Sequence, residues 1–190
     1  MKSFDWTNTS VDEQLRHVRS VKRDALNLIL RKYDWGQHPE TVLGWIAAQK
    51  GIALNSALIA FFNGDPWRFN YLPKRDVATE FRGVASLLDT LCQRINAGYY
   101  LPDATNLNRD GTVRLEAWLK NQRFDRRDHR SGRWVIEPEA LEGVLQRQRA
   151  SLEDRVRREA GQEPAAPANE LAGAMRKGFS LKKLTGTIAG

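Results

Sequence analysis

Apolar positions in the first hundred residues recur at helical spacing. Ser10 and Glu13 form a capping-box pattern, and Val11, Leu15, Val18, Val21, Ala25 and Leu28 follow at steps of three and four. That spacing predicts one amphipathic helix from about 11 to 32, ended by Tyr33-Asp34-Trp35-Gly36. Pro39 suits a first helical position and Gly51 a stop, giving a short helix that carries Val42, Leu43, Trp45 and Ile46. LNSALIAFF, closing at Asn63-Gly64, is apolar on most faces and is expected to be the buried element around which the others pack. After the loop GDPWRFNYLP, Asp76 can cap a long helix striped by Val77, Phe81, Val84, Leu88, Leu91 and Ile95, with Gly98 as its C-cap.

Past Tyr100 the pattern changes. LPDATNLNRDG is turn-rich, TVRLEAWLKNQ reads as a short amphipathic helix, and RFDRRDHRSGRWVI reads as two short strands reversing at Ser131-Gly132. Pro138 then opens a last helix striped by Leu141, Val144, Leu145, Leu152 and Val156. GQEPAAPAN is a Pro/Ala-rich linker, and the tail NELAGAMRKGFSLKKLTGTIAG is expected to order only on a partner. The expected fold is therefore mainly α: a multi-helix domain over 9–100, a small α+β helix, hairpin and helix unit over 101–160, and a flexible linker and basic tail over 161–190.

Charge sharpens this picture only when divided along the chain. The formal total is +7. Residues 1–70 contribute +2, residues 71–119 zero, residues 120–134 +4, residues 135–170 −3 and residues 171–190 +4. The excess lies in two islands, a distribution that bears on association and not on fold. With 41% hydrophobic residues in 190, the chain can bury a sizeable core. The single cysteine, Cys92, excludes an intramolecular disulfide and makes a reducing, cytoplasmic compartment the simplest reading. No apolar window reaches the ~18 residues of a spanning helix, so no transmembrane segment is expected.

YDWGQHPETVLGWIAAQKGIALNSALIAFF, an aromatic loop and then LLDTLCQRINAGYY resemble a small helical domain of unknown function found in bacterial proteins. The resemblance covers about residues 15 to 101 and implies a helical fold without an activity. The family's acidic pair and glycine after the tryptophan are replaced here by Gly36-Gln37-His38. Separately, TVRLEAWLKNQRFDRRDHRSGRWVIEPEALEGVL is similar, in the order of its parts, to the winged-helix units of excisionases. By that resemblance Thr112, Arg114 and Lys120 would face DNA, and Arg126, Arg127, Arg130 and Arg133 would form the wing. A helix in the major groove with hairpin arginines on phosphates is sound chemistry for such a unit. The competing reading is a solvated hairpin in which Asp125 and Asp128 pair with neighbouring arginines.

Other candidates are thinner. NLNRDGTVRLEA has Asn106, Asn108, Asp110 and Gly111 in calcium-loop register, but Ala117 stands where the loop needs a glutamate. His17, His38 and His129 lie in separate segments and cannot assemble a zinc cluster with one cysteine. A Cys92 and His38 nucleophile pair is conceivable, yet Cys92 falls in an apolar stripe, where packing is its ordinary role. Trp35, Trp45 and Trp67 read as packing residues, and Trp118 and Trp134 as anchors of the hairpin. The expectation is a non-enzymatic, DNA-binding accessory protein without cofactor or metal. Its nucleic-acid-binding residues would be Arg114, Lys120, Arg123, Arg126, Arg127, Arg130, Arg133, Lys182 and Lys183. The alternative is a helical protein-interaction module, an immunity or adaptor protein, whose arginines meet an acidic partner.

Overall fold

The computed structural model describes residues 4–102 and 106–159. Among them are seven α-helices and no strand: α1 Val11–Ser20, α2 Arg23–Lys32, α3 Pro39–Ala47, α4 Leu54–Asn63, α5 Arg82–Asn96, α6 Arg109–Arg127 and α7 Glu142–Glu159. Residues Met1–Arg149 make one compact unit, and Ala150–Gly190 a second.

In the first unit α4 is the central element, packed against α2, α5 and α6. Eight of its ten residues are buried, as its nearly continuous apolar composition predicts. Around it close Leu30, Leu43, Ile46, Leu88, Leu91 and Ile95 from the preceding and following helices. The same core takes in Leu115, Trp118, Trp134, Ile136 and Leu141, so burial runs without a gap past residue 100. Phe61 meets both indoles edge to face, Trp118 at 5.4 Å and Trp134 at 6.0 Å.

The single helix expected over 11–32 is two. Ser20 Oγ donates to the His17 carbonyl at 2.8 Å, a local bond that competes with the helical ladder. Val21 and Lys22 then leave the helix as extended residues. The interruption re-phases the buried face: α2 turns Leu26 and Leu30 inward and leaves Leu28, which an unbroken stripe would bury, 47% exposed. Likewise Asp76 caps nothing. It ends a 3₁₀ turn, Lys74–Asp76, and a second turn, Thr79–Phe81, intervenes before α5 begins at Arg82. Pro138 opens a 3₁₀ turn, Pro138–Leu141, before α7.

The larger departure is the hairpin. Residues expected to form its first strand, Arg123–Arg127, are the last turns of α6, whose N-terminus is capped by Asn108 accepting from the Gly111 N–H at 2.9 Å. Residues 133–136, expected as the second strand, are neither helix nor strand and have no partner strand among the described residues. Their backbone bonds mainly to side chains instead. Gln122 on α6 donates to the Ile136 carbonyl at 3.0 Å and accepts from the Ile136 N–H at 2.8 Å. Asn96 on α5 donates to the Val135 carbonyl at 2.7 Å and accepts from the Glu137 N–H at 3.0 Å. Asn70 takes the Arg133 N–H on its backbone oxygen at 2.6 Å and the Trp134 N–H on its side chain at 3.1 Å. Three asparagine and glutamine residues thus stand in for the neighbouring strand. The apolar residues Trp134 and Ile136 are held in the core, while Val135, which alternates with them, is half-buried.

Gly132 lies within this arrangement. A Cβ there would collide with the Asn70 side chain, which cannot retreat without releasing Trp134. Gly132→Ala is therefore expected to lower stability by about 1–3 kcal/mol, read as a fall in the urea midpoint with an unchanged slope.

In the second unit the described residues, 150–159, continue α7. Leu152 and Val156, expected on a buried stripe, are 50% and 63% exposed. Arg155 and Glu159 form an exposed i,i+4 pair at 4.0 Å.

Candidate anion-binding cleft

The structure does not gather the sequence-predicted basic residues into a wing. Arg114 is drawn inward: it pairs with Asp110 at 3.0 Å and donates to the Phe62 carbonyl at 3.3 Å and to Asn63 at 3.4 Å. Thr112, expected to face DNA, accepts from Gln148 at 3.2 Å. Arg126 meets Glu137 at 3.3 Å and Arg127 meets Asp128 at 3.0 Å. Arg123 donates back to the Leu119 carbonyl of its own helix at 3.3 Å. Lys120 lies 5.9 Å from the Phe124 ring and Arg130 lies 4.9 Å from the Tyr71 ring. Lys182 and Lys183 lie outside the described residues.

Arg133 stands apart. Its side chain is only 13% exposed and forms a two-pronged pair with Asp89 on α5, Nε to Oδ1 at 2.9 Å and Nη2 to Oδ2 at 2.8 Å. The indole N–H of Trp134 donates to the same carboxylate at 2.8 Å. Asp89 therefore accepts from two consecutive residues of the 133–136 segment and fixes both. Arg133 Nη1 is left buried without a hydrogen-bond partner among the described residues.

Arg133 also lines a cleft of about 530 Å³. Its other lining residues are Lys74 and Arg75 from the first 3₁₀ turn, Val77, and Arg82 and Ala85 from the start of α5. Lys74 and Arg75 are exposed and aligned by a tight turn that Pro73 initiates. Arg82 is anchored through Nε to the Val77 carbonyl at 3.3 Å. Of the nearby carboxylates, Asp89 is committed to Arg133 and Trp134, Glu40 packs on Gly83 beside Arg82, and Asp76 lies 3.6 Å from Arg75 in an exposed pair. An exposed pair of that length is worth less than about 1 kcal/mol and opens readily to another anion. Buried Val77 and Ala85 give the cleft an apolar floor, which strengthens charge interactions above it.

The charge count along the chain conceals this site. Lys74, Arg75 and Arg82 come from the stretch whose net charge is zero, because its carboxylates are counted without regard to where they point. The signal that could have found them is local, three cations within nine residues bracketing an apolar position.

Compared with protein-family models, curated proteins and solved structures, the chain matches none. The chemistry open to the cleft is that of its side chains alone: it presents point charges and guanidinium donors to an anion, a set suited to phosphate oxygens or carboxylates.

Cys92 is no nucleophile in this setting. Burial, with the Asp89 charge adding to it, pushes its thiol up to about 12, and Sγ donates to the Val135 carbonyl at 3.4 Å. A nucleophilic cysteine needs its thiolate at neutral pH, and Cys92 holds its proton. No helix of the described residues is long and apolar enough to cross a membrane.

Proposed function

We propose that the protein is a non-enzymatic nucleic-acid-binding accessory protein whose phosphate contacts lie in the cleft of Lys74, Arg75, Arg82 and Arg133. The observation that supports this reading is the convergence of those four cations on one concavity in which the nearest carboxylate is already engaged. Phosphate neutralisation requires cations that are accessible and poorly paired. Lys74 and Arg82, with no ion pair among the described residues, meet that condition better than the arginines at 126 and 127, each of which has its own carboxylate, and Arg75 meets Asp76 only at 3.6 Å. Contacts of this kind position a protein on the backbone and carry no sequence information.

The reading is tested by the salt dependence of binding. For duplex or single-stranded DNA, log Kd should rise linearly with log salt concentration, with roughly 0.7–0.9 in slope per phosphate contacted. Exchanging Lys74, Arg75 and Arg82 for glutamate should weaken binding at least about tenfold at ~0.1 M salt and flatten the slope by roughly 2–3. No measurable DNA binding at that salt, with capture of an acidic protein instead, would replace this reading with that of an interaction module.

A further inference from the structure

Three aromatic side chains stay exposed on the 66–72 loop and on α6. Trp67 is 40% exposed, Tyr71 43% and Phe124 43%. Trp67 and Tyr71 lie along α6: Trp67 stacks edge-on against Trp118 at 4.6 Å, and the Tyr71 hydroxyl lies 2.6 Å from both Asp125 and Asn121. Phe124 is on the same turns of α6 as Asn121 and Asp125.

Cations accompany the rings. Lys120 and Arg127 flank Phe124 at 5.9 Å and 5.1 Å, and Arg130 lies over Tyr71 at 4.9 Å. The Tyr71 end of this surface is tied to the cleft residue Arg133 through Asn70. Asn70 is bonded to the backbone of Arg133 and Trp134. From that junction one chain leads through Tyr71 to Lys74, and the other leads back to Arg130.

From this juxtaposition we infer that the ligand is a single-stranded nucleic acid, its phosphates in the cleft and along Arg130 and Lys120, its bases stacked on Tyr71, Phe124 and Trp67. The inference rests on the phosphate-binding reading above and adds the strandedness of the ligand. In a duplex the base faces are covered by neighbouring pairs and cannot reach a protein ring. In a single strand every base has a free face, and aromatic platforms beside a cationic path are how such strands are held without sequence preference. Rings kept about 40% exposed next to guanidinium groups gain nothing from duplex phosphates.

The experiment is a fluorescence-anisotropy titration of the full chain at ~0.1 M salt, comparing an oligo(dT) of ~20 nucleotides with a duplex of the same length. Oligo(dT) is expected to bind at least about tenfold more tightly, and Phe124→Ala to weaken it about fivefold or more while moving duplex binding less than twofold. Trp67→Ala should add a similar loss. Because Trp67 touches the core through Trp118, Trp67→Phe is the companion variant, expected to keep the affinity. Equal affinity for both DNA forms, with Phe124→Ala silent and the Lys74, Arg75 and Arg82 charge reversal still weakening both, overturns the single-strand inference and leaves the phosphate cleft standing. Absence of binding to either form overturns both.

Discussion

Asp89→Ala is expected to destabilise the protein by about 3 kcal/mol, lowering the melting temperature by roughly 6–12 °C. The carboxylate accepts three hydrogen bonds, two from Arg133 and one from the Trp134 indole, and its partner guanidinium is almost fully enclosed. Deleting it leaves a cation in a poorly solvated place with its two best acceptors gone, along with a buried indole N–H unpaired. The lower end of the range for a broken buried pair applies because about a quarter of the Asp89 side chain is exposed. The charge, more than lost packing, should dominate. Asp89→Ala combined with Arg133→Met is therefore predicted to be more stable than Asp89→Ala alone, since the second change removes the orphaned cation and fills its volume. Thermal melts of the two single variants and the double variant form the cycle that checks this. A double variant no better than Asp89→Ala would show that Asp89 acts through shape and not through charge.

The second large effect appears at high pH. Burial pushes the Cys92 thiol from 9.0 up to about 12 and the Tyr100 phenol from 10.0 up to about 12. Both groups are neutral when protonated, and the folded state holds their protons more tightly than the unfolded chain does. Their contribution is fully present below pH 9, and stability falls as pH rises from there through 12. The unfolded chain sheds the Cys92 proton first and the Tyr100 proton a unit later. Each deprotonation available only to the unfolded chain costs the fold about 1.4 kcal/mol per pH unit. Urea midpoints should thus be flat up to pH 9 and then drop, by roughly 4 kcal/mol in all near pH 11. Tyr33, raised in the same direction by burial, steepens the drop. Cys92→Ala is expected to delay its onset by about one pH unit, since Tyr100 then leads. Stability unchanged to pH 11 in the unmodified chain would refute the burial of these two groups.

How much of this is legible in the sequence depends on how far apart the partners lie. Helices α3, α4 and α5 follow from periodicity and from Pro39, Gly64 and Gly98, all within a few residues of the elements they punctuate. The hairpin reading fails because RFDRR and RWVI alternate like strands, while the deciding groups are remote. Gln122 reaches Ile136 across 14 residues, Asn96 reaches Val135 across 39 and Asn70 reaches Trp134 across 64. An amide side chain that completes the bonding of such a segment leaves no periodic trace. The same holds for the candidate site. Arg133 stands out in the sequence by its charge within a basic run, yet its position comes from Asp89, 44 residues earlier. Lys74 and Arg75 join it and Arg82 only once the two 3₁₀ turns bring them to the start of α5.

The most direct measurement sets two triple variants side by side in one DNA-binding titration at ~0.1 M salt. One reverses the cleft, Lys74→Glu with Arg75→Glu and Arg82→Glu; the other neutralises the last turns of α6, Arg123→Gln with Arg126→Gln and Arg127→Gln. A phosphate-binding cleft predicts at least about tenfold weaker binding for the first and a several-fold smaller loss for the second. Undiminished binding by the cleft variant, with binding abolished in the α6 variant, would return the phosphate contacts to the arginines of residues 123–127 and contradict the cleft.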